Sequence, residues 1–241
     1  MIRNPRNLTK PTQERDNYLR IFVLECPNPL DLIQARSEGP VIETIGKLIG
    51  HEVFSFFIRS KRELRETCRY VSSIDPNVDG RSLCLHISAH GDSKGLRIGA
   101  EDLNWEELAE AIATILRAKI QFKGKRIVVL SACQAEQQKL TNEIAALIAR
   151  QRKLEKAIVP PEYLFCTSGN VPWQDAAVGW TLFYHLLPDA DLDNKVSVQR
   201  ILNNIKAADV DPIYYFRWDK EKKKYLKYAS TLTKARGCRS L

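Results

Sequence analysis

The sequence predicts an α/β fold: a three-layer sandwich with a mostly parallel six-stranded sheet and helices on both faces. Three observations predict it. Short apolar runs alternate with longer segments of helical period. The runs are apolar on both faces, as buried parallel strands are. A chain of 241 residues, 44% hydrophobic, can also build one large core without staples.

The first strand is "LRIFVLEC" (19–26), followed by "PLDLIQARSEGPVIETIGKLIG", which reads as helix broken near Gly39-Pro40. "HEVFSFFI" (51–58) is the second strand, and "KRELRETCRYVSSI" the helix behind it. "SLCLHISA" (82–89) is the third. The helix over 104–118 has Asn104 to cap it, Glu106 and Glu107 in its first turn, and apolar residues at 105, 108, 112, 115 and 116. "RIVVLSA" (126–132) is the fourth strand, with a helix over "NEIAALIARQRKLEKAI". "YLFCTS" (163–168) is the fifth, backed by "DAAVGWTLFYHLL" and "SVQRILNNIKAA". "PIYYFRW" (212–218) is the sixth, able to pair with "KYLKYAS" through the lysine turn. This divides the chain into a polar arm (1–18), a single α/β domain (19–218) and a basic hairpin or tail (219–241).

Composition narrows the function. No apolar run reaches the roughly 20 residues of a membrane span, and the polar N-terminal stretch lacks the apolar core of a secretory signal. No membrane partner is expected. The six cysteines form no C-x-x-C pair, which argues against a zinc ribbon, and no cofactor is expected. They read as reduced thiols of a cytoplasmic protein. The net charge is +8, and residues 219–241 hold eight Lys/Arg against two acids, so +6 of it lies in the tail. The nearly neutral body argues against nucleic acid as the partner. "DPNVDG" (75–80) imitates the start of a calcium loop through Asp75, Asn77, Asp79 and Gly80. The twelfth position, where a bidentate Glu belongs, is His86, so a turn is expected there instead of a metal site.

Two strand ends carry the chemistry. In open parallel sheets ligands bind beyond the carboxyl ends of the strands, near the point where strand order reverses. With the order 2-1-3-4-5-6, that point lies between the first and third strands. His90 falls just past the third and Cys133 just past the adjacent fourth. A cysteine nucleophile needs a thiolate, and a neighbouring imidazole supplies it by taking the proton. Gly91 permits a sharp turn with an uncovered N–H, and the Cys133 N–H sits at a strand-to-helix turn. These two amides are expected to form the oxyanion hole. His86 lies about 13 Å back along the strand at a rise of 3.3 Å per residue and reads as an interior residue. His51 and His185 read as structural.

"LCLHISAHGD" followed by "KRIVVLSACQAE" resembles the caspase-like cysteine peptidases, the group of caspases, metacaspases and gingipains, and within it the CHAT-type domains. "FCTSGNVPWQDAAVGWTLFYHLL" is similar to their following strand and helix. The resemblance implies a three-layer caspase-like fold and a cysteine endopeptidase that cleaves proteins or peptides with Cys133 as nucleophile and His90 as base and acid. The caspase Gln-Ala-Cys-x-Gly box is absent, since Ser131-Ala132-Cys133-Gln134-Ala135 stands there, and aspartate specificity is not implied. Acidic residues near the strand ends suggest cleavage after Arg or Lys. Asp175 is either the floor of a pocket for a basic side chain or a first-turn helix acid. Asp92 and Glu25 are further candidates for substrate binding. Arg150, Arg152, Lys153 and Lys156 precede Pro160-Pro161 and form a candidate processing site for an upstream activating protease or the protein itself. A solvated helix face explains the same charges. A catalytically silent caspase-like binding or scaffold module stays open as the alternative.

Overall fold

In this computed structural model the described residues are 18–74, 81–117, 124–135, 139–151, 158–210 and 212–232. The predicted arm, apart from Tyr18, lies outside them. So do the 75–80 turn, residues 152–157 of the candidate processing segment, and the last nine residues.

Five parallel strands form the body of the sheet: β1 (Leu19–Cys26), β2 (Glu52–Phe57), β3 (Ser82–Gly91), β6 (Arg126–Ser131) and β7 (Tyr163–Thr167). Two antiparallel strands complete it, β8 (Ile213–Asp219) and β9 (Lys224–Tyr228), in the order β2-β1-β3-β6-β7-β8-β9. The predicted strand order holds, and the hairpin through the lysine turn adds β9 to the edge. Strand number differs from the expected six because of β9 and of a hairpin, β4 (Gly95–Ile98) and β5 (Glu101–Asn104), that branches from the end of β3. Sequence reading left 95–104 without strands because four-residue strands are too short to show a period. The hairpin needs its glycines. A Cβ on Gly95 would come within 2.0 Å of the Leu103 carbonyl oxygen, and Gly99 has a φ of +59° at the turn.

Helices cover both faces. α3 (Lys61–Ser73), α4 (Trp105–Ala113) and α5 (Lys139–Gln151) lie on one, where Leu64, Leu108, Ile112 and Ile144 meet Phe22, Leu24, Ile87 and Leu130. α2 (Gly39–Ile49), α6 (Trp173–Leu186) and α7 (Lys195–Ala207) lie on the other, where Ile42, Trp180, Phe183 and Ile201 meet Ile21, Val23, Val129 and Phe165. Every residue of β1 is buried, so the strand's alternate side chains feed both cores. No helix among the described residues is long and apolar enough to cross a membrane.

The connection from β1 to α2 is broken where expected: residues 34–38, just before Gly39-Pro40, separate two helices. A short helix, α1 (Pro29–Ile33), is capped by Asn28, whose side chain accepts from the Asp31 amide while the Asp31 carboxylate accepts from the Asn28 amide. The chain then turns through Ala35 at a φ of 52°, and Gly39-Pro40 opens α2, because proline is compatible with a first helical turn. This turn carries Asp31 and Glu38 inward to the sheet's carboxyl edge.

Candidate active site

His90 stands at the end of β3, and Cys133 two residues past the end of the adjacent β6. Both line one small cavity, of about 30 Å³, together with Glu38, Ser131, Thr167 and Trp173. Alternation along the strands puts them on the face covered by α2 and α6. The turn carrying Cys133 is tied to β7: the Ala132 amide donates to Thr167 Oγ1, the Thr167 hydroxyl donates back to the Ala132 carbonyl, and the Gln134 amide donates to the Gly169 carbonyl. Gln134 takes a φ of 58°, which turns the chain sharply after the cysteine and leaves Cys133 half-exposed.

Gly91 packs against this turn. A Cβ there would stand 2.8 Å from the Cys133 carbonyl oxygen and 3.0 Å from Ala132 Cβ, so no larger residue fits without displacing the Cys133 backbone.

The His90 ring is held on two sides. Its Nε2 lies 2.7 Å from Asp31 Oδ2 and 3.1 Å from Asn28 Nδ2, and Trp173 meets the ring edge-on at 5.7 Å between centroids. The carboxylate contact is the shorter and can only accept, which assigns the hydrogen to Nε2 and the lone pair to Nδ1; the Asn28 NH₂ is then a neighbouring donor in contact with the ring and not a hydrogen-bond partner of it. Asp31 is buried at 1% exposure. Sequence reading assigned it no role because it lay inside an expected helix. The signal that could have found it is the Asn28-Pro29-x-Asp31 capping box just past the first strand.

Beneath the cavity a buried polar chain runs across the face. The Cys84 thiol donates to the Tyr184 oxygen at 3.5 Å, the Tyr184 hydroxyl to His86 Nδ1 at 2.9 Å, and His86 Nε2 to Glu38 Oε2 at 3.1 Å. The Ser131 hydroxyl donates to Glu38 Oε1 at 2.7 Å. Burial holds Tyr184 well above the usual phenol range and pushes the Cys84 thiol to about 12, so both keep their protons as the chain requires. His86 is fully buried. His51 accepts from the Leu19 amide and donates to the Tyr184 carbonyl, a structural bridge. Among the described residues no cluster of three His, Cys, Asp or Glu side chains is placed to hold a metal ion.

None of the three acids expected to bind substrate lines the cavity at Cys133. Asp92 accepts from the Lys94 and Gly95 amides through Oδ1 and shapes the β3–β4 turn; those bonds pull its carboxyl below the usual range. It faces an open groove of about 820 Å³ beside His90, not the cavity at Cys133. Asp175 lies half-buried in the first turn of α6 and does not line that cavity. Glu25 is 1% exposed and accepts from the Ser37 hydroxyl and the Glu38 amide, so the structure corrects its expected role: it braces the turn before α2 and has no surface to offer a substrate.

Glu25 gives a pH prediction. Burial raises its carboxyl above the usual range, against hydrogen bonds that lower it. With the folded value above the unfolded one, the protonated form favours folding. Glu25 therefore stabilises most below the unfolded carboxyl range, about pH 4, and loses that contribution as pH rises through its folded value. In Glu25→Gln the decline of stability from that pH upward should be shallower, measured by denaturant unfolding between about pH 4 and 8. Parallel profiles would remove this carboxyl as their cause.

No protein-family model matches the sequence, and no curated protein sequence does. Solved structures do. Caspase-1 from Spodoptera frugiperda superposes with a TM-score of 0.53 at 11% identity, over 88% of this chain and 93% of that one. The chain has a caspase-like fold. The structure titled pro-sf-caspase-1 gives a TM-score of 0.50 at 10% identity, over 87% of this chain and 86% of that one. These superpositions cover most of the chain, and His90 and Cys133 line one cavity at the carboxyl edge of its sheet.

Proposed function

We propose that the protein is a cysteine endopeptidase in which Cys133 attacks the peptide carbonyl and His90 moves the proton. The observation that carries this is one cavity shared by a half-exposed cysteine and a histidine whose Nε2 is held by a buried carboxylate. With Nε2 donating to Asp31, Nδ1 is the nitrogen that takes the Cys133 proton. The thiolate adds to the carbonyl, and the oxyanion falls to the N–H groups of Gly91 and Cys133, whose backbones are in contact. His90 then gives its proton to the departing amine, leaving a thioester. Water, deprotonated by the same nitrogen, hydrolyses it and restores the thiol. The open groove beside His90, about 820 Å³ and lined by Asn28, Asp92, Arg97, Asp102 and Asn104, offers a place for the peptide chain.

The test is a panel of fluorogenic peptides together with an irreversible thiol-reactive peptide probe, with the label located by mass spectrometry. Labelling at Cys133 that His90→Ala suppresses supports the peptidase. Labelling elsewhere, or no hydrolysis of any peptide, refutes it.

Activation by proteolysis belongs to the same proposal. α5 ends at Gln151 with Arg150 paired to Glu106 at 3.2 Å on the surface, and the basic residues that follow lead to Pro160-Pro161. A cut between Arg150 and Pro160 frees the chain that links the cysteine's helix to β7, the strand bonded to the Cys133 turn. Replacing Arg150, Arg152, Lys153 and Lys156 together by Gln should block both fragment formation and activation on gels and in peptide assays. Full activity in that uncut variant would remove the switch and leave the catalytic pair intact.

A further inference from the structure

We propose that the open edge of the sheet at β2 is where a second copy of this chain joins it, strand against antiparallel strand, about a twofold axis through Ser55. Among the described residues β2 pairs with β1 alone. The Ile58 amide donates to the Glu25 carbonyl, so by alternation the backbone groups of Val53, Ser55 and Phe57 point away from β1. The strand runs along a groove of about 700 Å³, walled by Glu43 and Lys47 of α2 on one face and by Tyr70 of α3 on the other. The two edges of the sheet differ in composition. β9, at the far edge, reads Lys-Tyr-Leu-Lys-Tyr with both lysines exposed, and edge lysines discourage a further strand. β2 reads Glu-Val-Phe-Ser-Phe-Phe, without a lysine and with Phe54 and Phe57 40% and 55% exposed. An edge of that composition is suited to pairing.

The strand is complementary to itself. With Ser55 opposite the second copy's Ser55, Val53 falls opposite Phe57 and Phe54 opposite Phe56. Each outward N–H then meets an outward carbonyl. On the α3 face Phe54 stacks on Phe22 at 5.4 Å between centroids, and Phe56 meets Tyr70 edge-on at 6.1 Å. Phe54 and Phe56 form the close, non-hydrogen-bonded pairs of the junction, so the aromatic layer continues from one copy into the other. On the opposite face the exposed Phe57 comes beside Val53. The flank of α2 agrees. Glu43 precedes Lys47 by one turn and pairs with it. A twofold axis reverses that order and sets each copy's Glu43 toward the other's Lys47. The register that satisfies the backbone therefore also matches aromatic with aromatic and acid with base. β6 is the fourth strand from the junction in each copy, so the two Cys133 turns lie more than about 30 Å apart and open toward opposite sides. Nothing in the contact depends on the peptidase function.

Sedimentation velocity on the full chain at about 50 μM should give twice the 27.5 kDa of one copy. Ser55→Pro removes an outward amide, and Phe57→Lys puts a charge on the edge. Each should raise the dissociation constant of the dimer at least about tenfold, with the fold checked by circular dichroism. Glu43→Lys should weaken association by about fivefold, and Glu43→Lys with Lys47→Glu should restore it. Cross-linking reads the register. Opposed Cα atoms in a hydrogen-bonded antiparallel pair lie about 5.5 Å apart, within disulfide reach. Ser55→Cys treated with oxidised glutathione should therefore link position 55 to position 55, located by mass spectrometry. Phe57→Cys, more than about 10 Å from its own counterpart, should not self-link. A monomer at about 50 μM overturns the proposal and leaves the edge to a strand of another protein. A dimer that survives Ser55→Pro and yields no link between positions 55 overturns it as well, because the copies then meet elsewhere. Equal linking at position 57 overturns the register on which the proposal stands.

Discussion

Replacing Cys133 by alanine is expected to abolish peptide hydrolysis, by at least about 10⁴-fold, while moving the unfolding temperature by no more than about 2 °C. The two halves of this expectation have separate causes. The residue sits past the end of β6 in a turn bonded to Thr167 and Gly169 through backbone groups of its neighbours, so its side chain supports little of the core. Removing one half-exposed sulfur leaves those bonds in place. Among the described residues no other cysteine is half-exposed at the sheet's carboxyl edge. Cys26, Cys68, Cys84 and Cys166 are all buried, and burial raises the first three thiols well above their ordinary range, so none of those three supplies a thiolate. Peptide hydrolysis and thermal unfolding on the same preparation check both halves. Wild-type turnover in the alanine variant would end the assignment of the nucleophile.

Asp31→Asn is expected to lower kcat by roughly 10²- to 10⁴-fold with KM within about threefold of wild type. Asparagine can still accept a hydrogen bond from the Asn28 amide, so the capping box is mostly kept and the cost to stability should stay near 1 kcal/mol. It presents no charge to His90 Nε2, and where its NH₂ faces the ring it favours the opposite tautomer. Asp31 does not line the groove, so substrate binding should be little changed. A merely structural residue would move KM and unfolding temperature together. Steady-state kinetics beside a melting curve separate the two roles, and an unchanged kcat would reduce Asp31 to a helix cap. Aspartate to alanine is the weaker test, because it breaks the cap as well.

The sheet was legible because each central strand is a short apolar run and each covering helix has its own period. β1 and β6 are buried from end to end, and runs of that kind have few other places to go. His90 and Cys133 were legible for a related reason: each follows a buried strand at once, so the topology alone set them side by side. Asp31 and Glu38 were not. Asp31 is placed by the Asn28 capping box just past β1 and Glu38 by the tight turn at Ala35, and no periodicity reports where a cap or a turn of positive φ will aim a side chain. Glu38 also looks, in sequence, like any solvent-facing acid before a helix; only the closure of α2 onto the sheet buries it. Glu25 misled for the opposite reason. A strand-end acid in sequence became a brace once Ser37 and the Glu38 amide turned toward it.

The parallel pairing of β3 with β6 has a consequence for synthesis. Partners in that register lie 43 positions apart, as Leu83 does from Arg126, and parallel strands cannot meet through a hairpin. Such non-local pairings form late and slowly, after loop closure has been overcome. During translation β1, β2 and β3 leave the ribosome first, with His90 already at its strand end and no cysteine opposite it. Cys133 joins only when the crossover helix has docked and β6 has slotted in beside β3. β7, which anchors the cysteine's turn, comes later still. On the proposed function, the nascent chain therefore has no assembled nucleophile and base until most of the domain has been made, which would protect neighbouring polypeptides in the crowded exit region whatever processing follows.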